Sequence, residues 1–280
     1  MSYSHRVSAY RAGATNAISG AASVAPKVRL RATPLPAKSA AALSGERPKA
    51  LTRRFETMWL NERGEIEDSI RIAPATASFE EAFSALARGA VLHTEEGRVA
   101  IEDLVPGMRV ITAEGEAVTV TWIGSMQIYP NRQDGPQGGQ EPVTLTRFTA
   151  DALGHAKPMQ DLILGPRARV LLRDVRCRNY TSEPTAYVPA RAFIDGVSVI
   201  EVTPASPVTV FHLALERQGT LRVGGLEIES YHPGEGVEAM MEPRMLSLFK
   251  DLFPHVKSLS DFGPLAHQRL TRFEVDAILG

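Results

Sequence analysis

Residues 87–115, ARGAVLHTEEGRVAIEDLVPGMRVITAEG, alternate apolar and polar side chains between turn-forming residues. Val99 and Ile101 fall on one face of an extended chain, because successive side chains of a strand point to opposite faces. Glu102-Asp103-Leu104 predicts a tight corner, and Pro106-Gly107 predicts a bend before the next apolar run. The stretch therefore predicts short strands joined by tight turns.

The same alternation continues downstream. Runs rich in Val, Ile, Leu and Thr are separated by Gly, Pro and acidic turns, which is typical of strands. Two loops interrupt the pattern, at residues 131–142 and 174–184, and both are expected to be too polar to pack. The sequence predicts a mainly β fold.

Upstream, residues 54–72 predict a β-hairpin, since apolar runs flank the polar loop Asn61-Glu62-Arg63-Gly64. Ser78 and Glu81 then form a capping-box pattern. Helical spacing follows, and Gly89 supplies a stop, so a short helix is predicted over residues 79–87.

Downstream of residue 234 the pattern becomes helical again. Leu246, Phe249, Leu252 and Phe253 share one face of the predicted helix. We expect this C-terminal helical extension to cap an edge of the β domain, and core packing explains the stripe better than a partner-binding helix does.

The charge is distributed unevenly along the 280 residues. Residues 1–54 carry ten Lys or Arg and the single acid Glu46, whereas residues 55–280 carry 21 bases and 31 acids. The first segment is rich in Ala, Ser and Pro, so it buries too little apolar surface to offset its ordering entropy. We predict a disordered basic tail over residues 1–53. A solvated extension is favoured over contact with nucleic acid, anionic lipid or the acidic body of the chain.

The lone cysteine, Cys177, excludes an internal disulfide and favours a reducing compartment. The sequence has no apolar run of about 18 residues that could span a membrane. Its first twenty residues also lack the apolar core of a secretory signal. Cytoplasmic residence is the default expectation, and secretion without an N-terminal signal stays open.

Three blocks, at residues 87–115, 161–173 and 187–234, resemble the Hint domain, the self-processing module of hedgehog proteins and inteins, in a bacterial subgroup. The resemblance implies an all-β horseshoe of pseudo-twofold design. Together with the composition and the hydrophobic patterns, it divides the chain into four parts: a disordered basic tail at 1–53, a hairpin and linker at 54–78, a Hint-like β domain at 79–234 and a helical extension at 235–280.

The family's reaction needs a Cys or Ser that attacks the preceding carbonyl, and a Thr and a His that hold and protonate the scissile amide. The resemblance places the nucleophile at Ala85, four residues before Gly89. It places the His at Ala168 and its Ser or Thr helper at Gly165. None of these three side chains can perform its part. Two further departures are Met108, where the family commonly has Asp, and Gln218, where related sequences often have His.

Reserve candidates are few. Ser84 is the nearest hydroxyl, but no adjacent base would activate it, so a structural role is favoured. His212 is predicted to be a buried, hydrogen-bonded core residue, and His232 to shape a turn. Cys177 lies between two arginines that could lower its pKa, although an unreactive cysteine is favoured. No cofactor is expected, and the scattered histidines predict no metal site.

Three hypotheses follow. The leading one is a Hint-like module that has lost self-cleavage, is not an enzyme and serves as a binding or interaction scaffold for an unidentified protein. The second is autoproteolysis between Phe83 and Ser84 by an unusual nucleophile. In the third, the basic tail tethers the domain to nucleic acid or anionic lipid through salt-sensitive contacts.

Overall fold

A computed structural model describes residues 51–130 and 143–280. The described residues lie within one compact unit, Pro48–Gly280. Residues 1–50 of the predicted tail and the predicted loop at 131–142 lie outside the described residues. The predicted tail extends too far at its end, because Thr52 and Arg53 already belong to the first strand.

Strands dominate the described chain. They are β1 Thr52–Leu60, β2 Ile66–Pro74, β3 Leu86–Ala87, β4 Val91–Thr94, β5 Gly97–Ala100, β6 Arg109–Ile111, β7 Ala117–Ile128, β8 Leu145–Phe148, β9 Leu162–Leu164, β10 Arg169–Arg173, β11 Thr185–Pro189, β12 Val199–Val202, β13 Val208–Leu215, β14 Thr220–Val223 and β15 Leu226–Glu229. The α-helices are α1 Ala77–Glu81, α2 Val237–Met240, α3 Pro243–Lys250 and α4 Arg272–Leu279, and 3-10 helices lie at Ile101–Asp103, Val175–Asn179, Ala190–Phe193 and Leu259–Phe262.

All fifteen strands join by hydrogen bonds, and each pair of strands is antiparallel. The main order is β11-β10-β15-β14-β4-β6-β7-β13-β3-β9-β8-β12. The long strand β7 pairs with β6 near its start, and with β13 and β1 farther on. The prediction of a mainly β fold is confirmed.

The predicted β-hairpin is also confirmed. Strands β1 and β2 pair along nine residues each, from Thr52 opposite Pro74 to Leu60 opposite Ile66. The loop closes on Asn61, whose Oδ1 accepts hydrogen bonds from the N–H groups of Arg63 and Glu65. A short polar side chain that bonds its own backbone in this way is what favours Asn in turns.

The helix predicted over residues 79–87 is wrong in its bounds. α1 spans Ala77–Glu81, and its N-cap Thr76 makes no side-chain capping bond, so the predicted capping box does not form. The chain leaves the helix because Leu86 and Ala87 form β3, which pairs with β13 on one side and β9 on the other. Strand pairing over long sequence distances has overridden local helix propensity. Gly89 lies in the turn after β3, with a φ of +87°.

The C-terminal helix is shorter than the spacing predicts. α3 ends at Lys250, so Leu252 and Phe253 follow it in a turn, yet both are fully buried. The indole N–H of Trp122, on β7, donates to the carbonyl of Leu252 at 2.8 Å. Aromatic side chains from the sheet, the hairpin and the C-terminal residues form a buried cluster, called the aromatic cluster below: Phe55, Phe79, Phe83, Trp122, Tyr231, Phe249, Phe253 and Phe262.

The end of the chain adds a second contact with the sheet. The N–H of Tyr187 donates to the carbonyl of Gln268 at 2.8 Å, and the N–H of Leu270 donates to the carbonyl of Tyr187 at 2.9 Å. α4 then begins with a formed capping box between Thr271 and Glu274. The predicted C-terminal helical cap is therefore present, and it is held by backbone bonds as well as by apolar packing.

The segment at residues 174–184 differs from the polar, unpacked loop that was predicted. Val175–Asn179 form a 3-10 helix whose N-cap, Asp174, accepts from the N–H of Arg176. Cys177 is fully buried, in a small core with Ala186, Val188, Leu270, Val275 and Ile278. The polar segment is therefore anchored by one buried side chain, Cys177, which residues of α4 cover.

Candidate functional site

The peptide bond between Ser84 and Ala85, called the junction peptide below, lies at the entry to β3 and not inside a helix as predicted. The N–H of Ala85 donates to the carbonyl of Phe211, on β13, at 3.0 Å. On the other side, Gly165 N–H donates to the Ala85 carbonyl at 2.8 Å, and Arg167 N–H donates to the Ser84 carbonyl at 3.1 Å. Strand pairing holds the junction peptide from both sides.

Gly165 packs directly on the junction peptide. A Cβ atom at residue 165 would lie 2.1 Å from the Ser84 carbonyl oxygen and 2.6 Å from its carbon. Both of those atoms are backbone, so they have no side-chain rotation by which to make room. The close approach thus requires glycine at this position, and a Ser or Thr does not fit against the present path of the chain.

Ala168 completes this part of the site. Its N–H donates to the Gly165 carbonyl at 3.2 Å, its carbonyl accepts from Ala190, and its methyl group is buried in the main core. The backbone of Gly165 therefore bonds both Ala85 and Ala168, and the structure brings these three positions singled out from the sequence into one region of the core. The side chains there are two methyl groups and a hydrogen.

Ser84 is fully buried, and its Oγ donates to the carbonyl of Glu80 at 2.7 Å. Bonding of this kind, back to a carbonyl four residues earlier, is a common resting place for a serine at a helix end. No side-chain base bonds to this hydroxyl among the described residues. The structural role favoured for Ser84 agrees with this geometry.

A cluster of four charged side chains, called the ion cluster below, joins four distant parts of the chain. Glu81 ends α1, Arg169 begins β10, Glu229 ends β15 and Arg269 lies in the C-terminal extension. Arg169 bonds Glu81 and approaches the second oxygen of Glu229 to 3.6 Å. Arg269 Nε donates to Glu229 Oε1 at 2.8 Å, and its Nη2 donates to the carbonyl of His232 at 2.7 Å.

The two carboxyl groups respond differently to this environment. Burial raises the pKa of Glu229, and the guanidinium groups of Arg269 and Arg169 offset only part of that effect. Burial also acts to raise the pKa of Glu81, but Arg169 and Arg269 outweigh it and the pKa is lowered. Burial of Arg169 is likewise outweighed, by Glu81 and Glu229, so its pKa is raised. With two acids paired to two bases, the cluster is balanced in charge, as buried ions need to be.

His212 lies beside the ion cluster and is buried, as predicted. Its Nδ1 is 3.1 Å from the carbonyl oxygen of Glu81, and its Nε2 is 3.3 Å from that of Glu229. Burial lowers the pKa of His212 to about 4, so the ring is neutral at physiological pH and donates to one of the two carbonyls. The ring bridges α1 and β15 and packs edge-on against Tyr231, with ring centroids 5.3 Å apart.

Two further positions tie the C-terminal extension to the sheet. His232 shapes a turn, as predicted, since its Nδ1 accepts from the N–H of Gly234 at 2.9 Å while its Nε2 contacts the carbonyl of Gly263 at 2.9 Å. Gln218 donates to the Ser230 carbonyl at 3.3 Å and accepts from the N–H of Ala266 at 2.6 Å. Gln218, which stands where related sequences often have His, therefore connects the sheet to the C-terminal extension.

The remaining candidates give no chemical site. Burial raises the pKa of the Cys177 thiol, which favours the unreactive form and not the activated one.

A cavity of about 480 Å³ lies beside the β1 and β7 strands, lined by Arg53, Gln127, Tyr129 and their neighbours, away from the junction peptide. Within residues 51–130 and 143–280, no group of three or more His, Cys, Asp and Glu could hold a metal ion. Over the same ranges, no helix is long and apolar enough to cross a membrane.

Sequence reasoning missed the ion cluster. Arg169 and Glu229 sit at the ends of strands whose alternation places charged residues outward, and Glu81 and Arg269 lie outside the β pattern altogether. The sequence carries only a partial signal for the cluster, namely a charged residue at one end of an apolar run: Arg169 in β10 and Glu229 in β15. Which charges meet depends on the strand order, and that order is not visible in the spacing.

Comparison with known proteins identifies the fold family. The profile of the family described as Hint domain matches residues 84–235, from the junction peptide to a point six residues beyond the end of β15 at Glu229. Among solved structures, the chain is similar to the bacterial intein-like domain from Clostridium thermocellum, determined in solution, at 17% identity and a TM-score of 0.36 over 54% of this chain and 99% of that chain. No curated protein matches the sequence. Because the family profile covers more than half of its 280 residues, the chain belongs to the Hint domain family.

Proposed function

We propose that this chain is a Hint domain that does not process itself and that serves as a scaffold for binding or interaction. The observation that carries the proposal is the junction peptide. Its carbonyl and N–H are held by backbone hydrogen bonds, Gly165 packs directly on it, and Ala168 is hydrogen-bonded to Gly165.

The chemistry of the family makes clear what is missing. Attack on the Ser84 carbonyl requires a thiol or hydroxyl on residue 85, and a methyl group has no electron pair to offer. Departure of the amide nitrogen requires a proton donor, and Ala168 has none. The N–H of Arg167 still points at the Ser84 carbonyl oxygen, at 3.1 Å. One such donor stabilises a developing charge but does not replace the nucleophile that creates it.

The rival reaction, attack by Ser84 on the Phe83 carbonyl, receives less support. The Ser84 hydroxyl is already committed to the Glu80 carbonyl. A buried histidine, His212, does not act as a base for this hydroxyl, because both of its ring nitrogens contact backbone carbonyls instead. A serine without a positioned base is a weak nucleophile.

The proposal is tested by expressing the full chain and the Ser84→Ala variant side by side. Fragments are separated under denaturing conditions, and any new N-terminus is sequenced. We expect the same uncut chain from both. A fragment of the wild-type protein that begins at Ser84 and disappears in the variant would establish the rival reaction instead.

The third hypothesis, tethering by the basic tail, concerns residues outside the described chain, so it rests on charge alone. Ten Lys or Arg within residues 1–54 would give binding to nucleic acid or anionic lipid that weakens steeply with salt. No contact of the described residues favours it over the scaffold proposal.

A further inference from the structure

Strand β2, Ile66–Pro74, forms an outer edge of the sheet. Among the described residues it pairs with β1 alone. Three isoleucines along it are largely exposed: Ile66 at 51%, Ile70 at 55% and Ile72 at 74%. A long edge strand with exposed apolar side chains is a template for pairing with another strand.

The bonds of the hairpin fix which backbone groups of β2 face outward. The N–H of Asn61 donates to the carbonyl of Glu65, and the N–H of Ala75 donates to the carbonyl of Leu51. These bonds mark the odd-numbered residues of β2 as the ones that bond β1, since bonded and unbonded pairs alternate in an antiparallel ladder. The N–H and C=O groups of the even-numbered residues therefore point away from β1: Ile66, Asp68, Ile70 and Ile72.

The sequence of β2, IEDSIRIAP, is complementary to itself when it is reversed about Ser69. In an antiparallel pair with a second β2, Ile66 stands opposite Ile72 of the second copy, and Glu67 stands opposite Arg71 of the second copy. Twofold symmetry repeats both matches. Every outward-facing residue then meets another outward-facing residue, as the bonded pairs of a ladder require. The two Glu–Arg pairs fall at the unbonded positions, where opposite side chains are closest.

The neighbouring registers are less favourable. A twofold axis at Asp68 would set two aspartates directly opposite each other, and like charges in that position destabilise a sheet. An axis at Ile70 would set Ile66 opposite Pro74, which has no N–H to donate, and would separate Glu67 from Arg71. Only the register about Ser69 combines a full ladder with opposite charges.

From this complementarity we infer that β2 pairs with β2 of a second copy of the chain, giving a twofold homodimer in which the sheet continues from one protomer into the other. Such an interface closes on itself, so it uses up the free edge and does not propagate. The isoleucines of the two copies lie on the same face of the joined strands and contact one another across the axis. This inference is independent of whether the junction peptide is ever cut.

The test is the molar mass of the full chain in solution, measured by sedimentation over a range of concentrations. The wild-type protein should be a dimer that dissociates on dilution. Arg71→Glu should raise the dissociation constant about tenfold, because it turns two attractive cross-strand pairs into repulsive ones. Adding Glu67→Arg to that variant restores opposite charges and should bring the constant back to within about threefold of the wild type.

A matched control is Arg98→Glu, the same charge change on the exposed strand β5, and it should leave the dimer unchanged. Hydrogen exchange provides a second readout that needs no variant, since the amides of Ile66, Asp68 and Ile70 should slow as concentration rises. A wild-type chain that stays monomeric, or a dimer insensitive to Arg71→Glu, would overturn the inference. So would protection of those amides at every concentration, which would mean that another part of the same chain, such as residues 1–50, covers the edge.

Discussion

At the scale of the residue, Gly165 best explains the state of the site. Its missing side chain lets β9 and the turn after it come into contact with the junction peptide, and the nearest backbone atom would lie 2.1 Å from any Cβ. In the proposal, loss of the family's Ser or Thr from this position goes together with closure of the backbone around it. Simple restoration of the lost hydroxyl would therefore meet a steric barrier.

Gly165→Ala tests this close approach. We expect it to lower the free energy of unfolding by about 2–4 kcal/mol, because the added methyl forces two backbone segments apart. Gly219→Ala is the matched control, since its nearest neighbour would be 3.9 Å away, an ordinary contact. Urea titration of both variants measures the difference. Equal stability of the two would mean that the approach is looser than described.

His255 gives the clearest pH dependence at this scale. Burial against Trp122 and Phe262 lowers its pKa to about 4 from 6.5. The unfolded chain takes up this proton below pH 6.5 and the folded chain does not, so stability is fully present above 6.5 and falls as the pH drops from 6.5 towards 4. His212 adds a slope of the same sign, because burial lowers its pKa to about 4 as well.

His255→Phe should therefore make the stability less dependent on pH between 6.5 and 4, while His212 leaves some slope in place. His155→Gln, at a fully exposed histidine, is measured beside it as the matched control substitution. Denaturation curves at several pH values measure both. An unaltered slope in His255→Phe would show that His255 titrates normally in the folded chain.

Some residue roles could be predicted from the sequence, and others could not. The alternation of β13 predicted that His212 is buried, and the Pro233 that follows His232 predicted a turn there. Both signals are local, so the sequence alone carries them. The ion cluster joins side chains as far apart as Glu81 and Arg269, and only the folded topology brings them together. The positions of Ala85, Ala168 and Gly165 came from the family resemblance, and the structure showed that Gly165 is hydrogen-bonded to the other two.

At the scale of the element, the hairpin and the C-terminal extension complete the core of the Hint sheet. Phe55 comes from the hairpin, Trp122 from the sheet and Phe253 from the extension, and all three are buried in the aromatic cluster. Phe253 stacks on Tyr231, with centroids 5.2 Å apart and planes at 10°. We therefore expect the described part of the chain to unfold as one unit.

Phe253→Ala tests this coupling. The variant should lose about 3–5 kcal/mol of stability, since the truncation leaves a cavity among aromatic rings. Phe273→Ala, on the outer face of α4 where the side chain is 83% exposed, should change stability by less than about 0.5 kcal/mol. Tryptophan fluorescence and circular dichroism should report one shared transition. Two separate transitions in the wild-type protein would mean that the extension is not part of the core.

Secondary-structure elements with a long periodic pattern were predicted well. Elements whose conformation depends on pairing with distant strands were predicted poorly. The hairpin over β1 and β2 was predictable because its apolar runs and its Asn-to-Gly loop agree. The helix at residues 79–87 was predicted too long because Leu86 and Ala87 favour a helix locally but pair with β13 and β9. Cys177 was assigned to a polar loop because the side chains that bury it, Val275 and Ile278, lie almost a hundred residues away.

At the scale of the whole molecule, the chain has the fold of the Hint family, and we propose that it lacks the chemistry of that family. The Hint profile matches residues 84–235, which contain strands β3 to β15, whereas the hairpin β1-β2 adds to the sheet from outside the matched region. Backbone hydrogen bonds hold both the carbonyl and the N–H of the junction peptide, and the residues that the family resemblance assigns to the reaction are Ala85, Gly165 and Ala168. The scaffold proposal rests on two observations: the sheet of the family is present, and the positions that the resemblance assigns to the reaction hold Ala85, Gly165 and Ala168.

The most direct measurement is the intact mass of freshly purified protein, before and after incubation with dithiothreitol and, separately, with hydroxylamine. Dithiothreitol releases a thioester, and hydroxylamine releases an ester as well, so the pair covers a sulfur or an oxygen nucleophile. The account predicts a single full-length species under all three conditions. A break at either side of Ser84 that depends on one of these reagents would contradict it, and would mean that the site still carries out the reaction of its family.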